Sequence, residues 1–291
     1  MYPAAFDYIA PTTLDETLSI LAEGDEDAKV LAGGQSLIPM MKLRLATPAR
    51  LIDINRLPGL DSLGVSNGHL VVGPLTRHND VVGSDVVKAE NHTMAAAAPW
   101  IADPLVRNLG TVGGSLAHSD PQGDWGSVML ACGAEVVATS TRGQRTIPIT
   151  EFFVDLFTSA LEPDELLTEI RVPRYTGPAG GTYLKLERKV GDYATVGVAV
   201  HLQLSADRSR IEQAGIALTG VGSRNIKVTD AEQLLVGGEP TDELFAEAGE
   251  RAAAASDPRT DVRGSAEYKR SVVSTFVRRG LNQAADQARS V

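Results

Sequence analysis

Two glycine doublets about eighty residues apart, in Ala32-Gly33-Gly34-Gln35-Ser36 and Thr111-Val112-Gly113-Gly114-Ser115, constrain this chain more than any other feature. Glycine has no Cβ to hold a ligand away, so its backbone N–H groups can approach phosphate oxygens closely. Each doublet is followed by a hydroxyl residue and an apolar stretch. The pair predicts one dinucleotide gripped from two sides, and therefore a fold that returns two distant loops to one cleft.

At 291 residues the chain has room for two or three domains, and 43% apolar content with 22% charge is that of layered globular units. The net charge of −10, with no basic run longer than Arg278-Arg279, argues against nucleic acid and anionic membranes as partners. No basic-then-apolar leader precedes Asp7 and no run of eighteen apolar residues occurs, so a soluble cytoplasmic protein without membrane insertion is expected. Cys132 is the single cysteine, which leaves no means of building a disulfide, an iron–sulfur cluster or a thiolate zinc site within the chain. It reads as a buried packing residue.

Thr13-Leu14-Asp15-Glu16 reads as a capping box opening a helix to about Ala22, followed by a strand at 29–32 that runs into the first doublet. Further strands are expected at 50–54, 70–73, 135–139 and 166–172, and helices at 75–82, 91–98 and 124–132. The second doublet lies in a long stretch, 101–124, without periodicity, expected to be a functional loop. Boundaries are expected near 57 and, at the linker-like Arg174-Tyr175-Thr176-Gly177-Pro178-Ala179-Gly180-Gly181, near 176. Beyond it, Val196, Val198, Val200, Leu202 and Leu204 alternate as in a strand with one buried face, with an antiparallel partner at 211–218. A helix from about Ser265 carries Val273, Phe276, Val277, Leu281 and Ala284 on one face.

Neither doublet has the third glycine of a dinucleotide fingerprint, and no Gly-Lys-Ser/Thr phosphate loop occurs, which disfavours NAD as a tightly held cofactor. The apolar Leu37-Ile38-Pro39-Met40-Met41 would suit the dimethylbenzene edge of a flavin. His118, Ser119 and Asp120 are adjacent in sequence and no Gly-x-Ser-x-Gly elbow exists, so a hydrolytic triad is not indicated. The five histidines have no metal-ligand spacing. Asp124 either caps the helix after it or binds a ligand hydroxyl. The 183–189 segment alternates like a strand with a solvated charged face, and Tyr193 sits in a glycine-linked bend where its ring could lie over another ring.

Ala-Gly-Gly-Gln-Ser, Thr-Val-Gly-Gly-Ser and Arg188-Lys189-Val190-Gly191-Asp192-Tyr193-Ala194-Thr195, with Met41-Lys42-Leu43-Arg44 and Leu51-Ile52-Asp53-Ile54-Asn55 between them, resemble the FAD-binding medium subunit of molybdenum hydroxylases, the aerobic carbon monoxide dehydrogenase and xanthine dehydrogenase family. The resemblance spans the whole chain. It implies an α+β flavoprotein: a two-subdomain FAD-binding domain of the vanillyl-alcohol-oxidase/xanthine-dehydrogenase type (1–57 and 58–176), then a C-terminal domain (177–291) with a three-stranded antiparallel sheet and a helix bundle.

On the family's pattern, Ala32, Gly33, Gly34, Gln35, Ser36, Ile101, Thr111, Gly113, Gly114, Ser115, Asp124, Leu161, Lys185 and Tyr193 bind FAD. The two doublet segments would hold the diphosphate through backbone donors, Asp124 the ribityl or adenosine part, and Leu161 and Lys185 would lie near the flavin ring, with Tyr193 stacked on one face. The resemblance further implies an iron–sulfur small subunit and a molybdenum-cofactor large subunit as partners, in a dimer of heterotrimers, with electrons leaving through FAD to an external acceptor. Gln35 and Ser115 stand where close carbon monoxide dehydrogenase relatives commonly carry His and Asp, which weakens carbon monoxide as the substrate. A stand-alone flavin oxidase or reductase and a non-catalytic nucleotide-binding module remain the alternatives.

Overall fold

Three larger sheets and a two-stranded one, Phe153–Asp155 with Thr158–Ser159, organise the chain in this computed structural model, which describes residues 2–25 and 27–290. The first is parallel, with Arg50–Asp53 between Asp7–Ile9 and Ala28–Leu31. Parallel strands need crossovers: the helix Leu14–Ala22 joins the two outer strands, and the connection from Ala28–Leu31 to its neighbour Arg50–Asp53 contains the helix Leu37–Lys42. Its N-cap is Thr13, whose hydroxyl accepts from the Glu16 N–H at 3.2 Å, while the Glu16 carboxylate takes the N–H of Thr12 rather than that of the cap.

The second sheet is antiparallel, in the order Leu63–Ser66, His69–Val72, Leu166–Pro173, Glu135–Ser140, Gly143–Pro148. The third runs Ala179–Leu186, Val196–Leu204, Ile211–Thr219, Ile226–Lys227, all antiparallel. The expected three strands are thus joined by a fourth of two residues, too short to leave a hydrophobic signature.

The helix Asp124–Cys132 is buried along its whole length between the second and third sheets. This location corrects the expectation of a half-buried Val196–Leu204 strand, because all nine of its residues are buried. One face packs under the long helix Ala266–Ser290, through Val273, Val277, Leu281 and Ala284. The opposite face, with its small Gly197 and Ala199, lies against Asp124–Cys132 and the helix His92–Ala97. The alternation therefore encodes large against small rather than inside against outside. Each fully buried Val or Leu in this layer contributes roughly 1.5–3 kcal/mol.

Two other local expectations change. The linker-like glycines at 180 and 181 lie within a strand, where a Cβ on Gly180 would stand 2.0 Å from the Ala284 carbonyl and one on Gly181 2.1 Å from the Thr93 hydroxyl. They are glycines because helices press on the sheet there, not because the chain flexes. The helix expected at 75–82 begins only at His78, since Thr76 to His78 instead bridge backbone-to-backbone with Gly110 to Val112. Cys132 is buried and bonds with Asn91 at 3.4 Å. Among the described residues, no helix is long and apolar enough to cross a membrane.

Candidate functional site

The fold brings the two doublets into contact. The strand Ala28–Leu31 ends at the first, and the second is held by its bridge to Thr76–His78, which follow the second sheet's strand His69–Val72. A Cβ on Gly33 would lie 2.5 Å from the Leu109 carbonyl oxygen, 2.7 Å from the Gly110 Cα and 3.0 Å from the Thr111 nitrogen. One on Gly113 would strike Pro74 at 2.4 Å, and one on Gly114 the Thr111 hydroxyl at 2.6 Å and, at 3.6 Å, Ala32. Only Gly34 is glycine for its dihedral, φ +72°, and its Cβ would meet Ile38 at 2.7 Å. These glycines admit protein against protein, a different reason from the ligand clearance expected from sequence.

The second doublet is not a loop. Val112–His118 is a helix, with Thr111 as N-cap and its hydroxyl accepting from the Gly114 N–H at 3.1 Å. About two turns of helix interrupted by two glycines leave too little periodicity to predict it. The Gly113 and Ser115 N–H groups are taken by the Pro74 and Thr111 carbonyls. Facing this, the first segment is rich in free donors. Among the described residues, the N–H groups of Gly33, Gly34, Gln35 and Ser36 donate to no protein acceptor, and neither does that of Thr111. Four successive free amides, with one more alongside, make a concavity suited to an anion. Gln35 braces the turn by donating to the Gly33 carbonyl at 3.2 Å, and Ser36 is the N-cap of the helix Leu37–Lys42 with its hydroxyl free of that duty.

Asp124 lies at the first position of its helix and is buried, with Gly123 as the N-cap, so it does not cap the helix. Its Oδ1 accepts from the Tyr183 hydroxyl at 2.5 Å and its Oδ2 from Lys185 Nζ at 2.9 Å. Lys185 also donates to the Trp100 carbonyl at 3.0 Å and has Glu187 at 3.8 Å. Burial pushes the Asp124 carboxyl up, and Lys185 and Tyr183 offset part of that; burial and the Asp124 charge together raise the Tyr183 hydroxyl well above its ordinary range. The solvated charged face expected for this strand is therefore absent at Lys185, whose side chain is buried.

Tyr193 is half-exposed on a bend whose Gly191 (φ +81°) packs against Ala102 and Asp103. Its hydroxyl is raised by burial and by Asp120, and a hydrogen bond with Ser36 brings it partly back. The Tyr193 hydroxyl thus lies beside Ser36, at the end of the first glycine segment. Arg263 donates to the Tyr193 carbonyl at 2.7 Å and to Asp192 at 3.1 Å. Ile101 is buried beside this bend, its turn gathered by Arg107, which donates to the carbonyls of Pro99, Ile101 and Ala102. Leu161 is half-buried against the main core. Arg107 and Arg263 carried no sequence signal, because each acts through backbone carbonyls that any residue could offer.

Behind the second segment, Trp125 donates to His78 Nδ1 at 3.0 Å, and His78 is pushed down to about 4 by burial and by Arg107 and Arg77. It stays neutral and receives the indole N–H.

Residues 4–175 match the family model described as the FAD binding domain in molybdopterin dehydrogenase, and residues 181–284 that described as the CO dehydrogenase flavoprotein C-terminal domain. The chain is 40% identical to the carbon monoxide dehydrogenase medium chain of Hydrogenophaga pseudoflava, with 98% of each covered. It is 38% identical to the 6-hydroxypseudooxynicotine dehydrogenase complex subunit alpha of Paenarthrobacter nicotinovorans, over 99% of this chain and 97% of that one. A solved carbon monoxide dehydrogenase from Hydrogenophaga pseudoflava superposes with a TM-score of 0.95 at 41% identity, covering 99% of both chains. Two glycine turns meet backbone to backbone in a chain that these two family models match along most of its length, and the chain belongs to the FAD-binding medium subunits of the molybdenum hydroxylases.

Proposed function

We propose that this subunit passes electrons from the [2Fe–2S] clusters of a small partner subunit through its FAD to an external acceptor, while a large partner subunit carries the molybdenum cofactor and chooses the substrate. The observation that carries the reading is the row of free amides at Gly33 to Ser36, set against the Thr111 N–H. They fit the diphosphate of FAD, with the Ser115 hydroxyl and Ala32 completing the turn pair. Bound FAD supplies the redox chemistry; the protein holds and orients it. Ile101, Leu161 and Tyr193 would contact the flavin half, with Tyr193 on one face of the ring. Asp124, fixed by Lys185 and Tyr183, would present a buried charge pair to the polar part of the cofactor.

A single cysteine leaves no iron–sulfur centre of the chain's own, so the electron source lies outside it. Relatives named for carbon monoxide and for a hydroxylated nicotine derivative are similar to the chain at 40% and 38% identity, which supports a substrate chosen elsewhere in the complex. The reading includes residues 1–57 and 58–176 as the two halves of the FAD domain, 177–291 as the third unit, a cytoplasmic location and a dimer of heterotrimers. Mild purification from the native host, with flavin, iron and molybdenum assays on the co-eluting chains, tests it. Flavin reduction by substrate is expected only in the complex; substrate turnover by the isolated chain without iron or molybdenum would replace it with a stand-alone flavoenzyme.

A further inference from the structure

An unbroken series of side-chain bonds runs outside the cleft from one glycine turn to the other. Asn55 Nδ2 donates to the Ala32 carbonyl at 2.7 Å, and Arg77 donates through one terminal nitrogen to Asn55 Oδ1 at 2.6 Å and through the other to the Leu109 carbonyl. Both ends are anchored. The Asn55 amide and side chain donate to Asp53 Oδ1 at 2.9 and 2.7 Å, and Asp53 Oδ2 accepts from the Tyr8 hydroxyl at 2.6 Å. At the other end, the Arg77 N–H donates to Asp80, and Arg77 lies opposite Thr111 in the backbone bridge.

We propose that Asn55 and Arg77 are a positioning pair, a clamp that fixes the separation and orientation of the two glycine turns so that their amides converge on the FAD diphosphate. In a trans peptide the C=O and N–H point in opposite directions. Holding the Ala32 oxygen on Asn55 therefore turns the Gly33 N–H away from the clamp. The same relation holds on the second turn beside the Arg77 contact, where the Gly110 oxygen accepts from the His78 N–H, so that the Thr111 N–H of that same peptide points the other way. The planar guanidinium is suited to span two acceptors; a lysine ammonium offers no such fork. The proposal rests on the doublets being the diphosphate site.

The test uses the assembled complex, stripped of flavin and titrated with FAD. Asn55→Ala, Arg77→Ala and Arg77→Lys are each expected to raise the flavin dissociation constant about tenfold, equivalent to about 1.4 kcal/mol. The ³¹P resonances of bound FAD should shift in all three, a signature that general loosening of the subdomain would not produce. The double alanine variant should be no more than about twofold weaker than the worse single, because both residues act through one series of bonds. Asn55 is exposed, so N55A reports even if R77A fails to fold. Wild-type affinity and unshifted phosphorus resonances in folded N55A and R77K would overturn the clamp. A parallel Gly34→Val titration separates the two layers: if it alone weakens FAD, the clamp fails and the site stands, whereas if it too binds normally, the diphosphate site itself is wrong.

Discussion

Within the C-terminal unit the Arg263 guanidinium donates to the Tyr193 backbone carbonyl at 2.7 Å, and this bond, with a second to Asp192, braces the bend from which the Tyr193 hydroxyl reaches Ser36 beside the first glycine turn. Seventy residues separate the two in sequence. The Tyr193 backbone is thus held by a residue distant in sequence.

Removing that support should resemble removing the ring. Tyr193→Ala should weaken FAD binding by about 1 kcal/mol, the scale of a stacking contact, and alter flavin fluorescence. Arg263→Ala should lose a similar amount, and the double variant should lose little more than Tyr193→Ala alone. Losses that simply add would show that Arg263 does not act through Tyr193.

The two doublets should tolerate alanine unequally. At Gly33 the new methyl meets backbone of the facing turn, so Gly33→Ala should separate the turns, costing about 1–3 kcal/mol of stability and most of the flavin. At Gly114 it meets the Thr111 hydroxyl, a side chain that can rotate away at the loss of one helix cap, about 1 kcal/mol. Thermal melts and flavin content of the two variants give the comparison, and equal behaviour would contradict it.

Lys185→Met strands a buried carboxylate. Breaking the pair from the lysine side should destabilise the protein by about 3–5 kcal/mol, and adding Asp124→Asn should recover part of the loss. Denaturant unfolding of the two single variants and the double closes the cycle; a double variant as unstable as the sum would mean that the charges do not act as a pair.

Acid should destabilise the region behind the second turn. His78 is depressed to about 4 by burial, so below its ordinary value of 6.5 the unfolded chain binds a proton that the folded one refuses. Stability from this group is complete above pH 6.5, falls as pH drops toward 4, and levels off below, a loss on the order of 3 kcal/mol. His201, depressed to about 3 chiefly by burial, acts in the same direction over a wider range. His78→Gln, which keeps an acceptor for Trp125, should flatten the decline between pH 6.5 and 4 in denaturant titrations followed by tryptophan fluorescence. An unchanged slope would place the acid sensitivity elsewhere.

The residues by themselves determined a good deal. Helix Asp124–Cys132, strand Val196–Leu204 and its partner from Ile211 are legible because their patterns are long and local. The glycine doublets marked a close meeting of backbone, which Gly33 makes against Leu109 and Gly110 and Gly113 against Pro74.

The tertiary structure decided what those glycines clear space for. Gly33 faces Leu109 and Gly110, neighbours invisible until the chain folds the two segments together. It likewise decided that Lys185 is buried on Asp124, that Val196–Leu204 is covered on both faces, and that Asn55, Arg77 and Arg263 reach distant carbonyls. The physical reason is common to these cases. Periodicity and capping report interactions within a few residues, whereas a bond to a backbone carbonyl leaves no mark on the residue that accepts it. Which donors remain free for FAD follows only once every other partner has been placed.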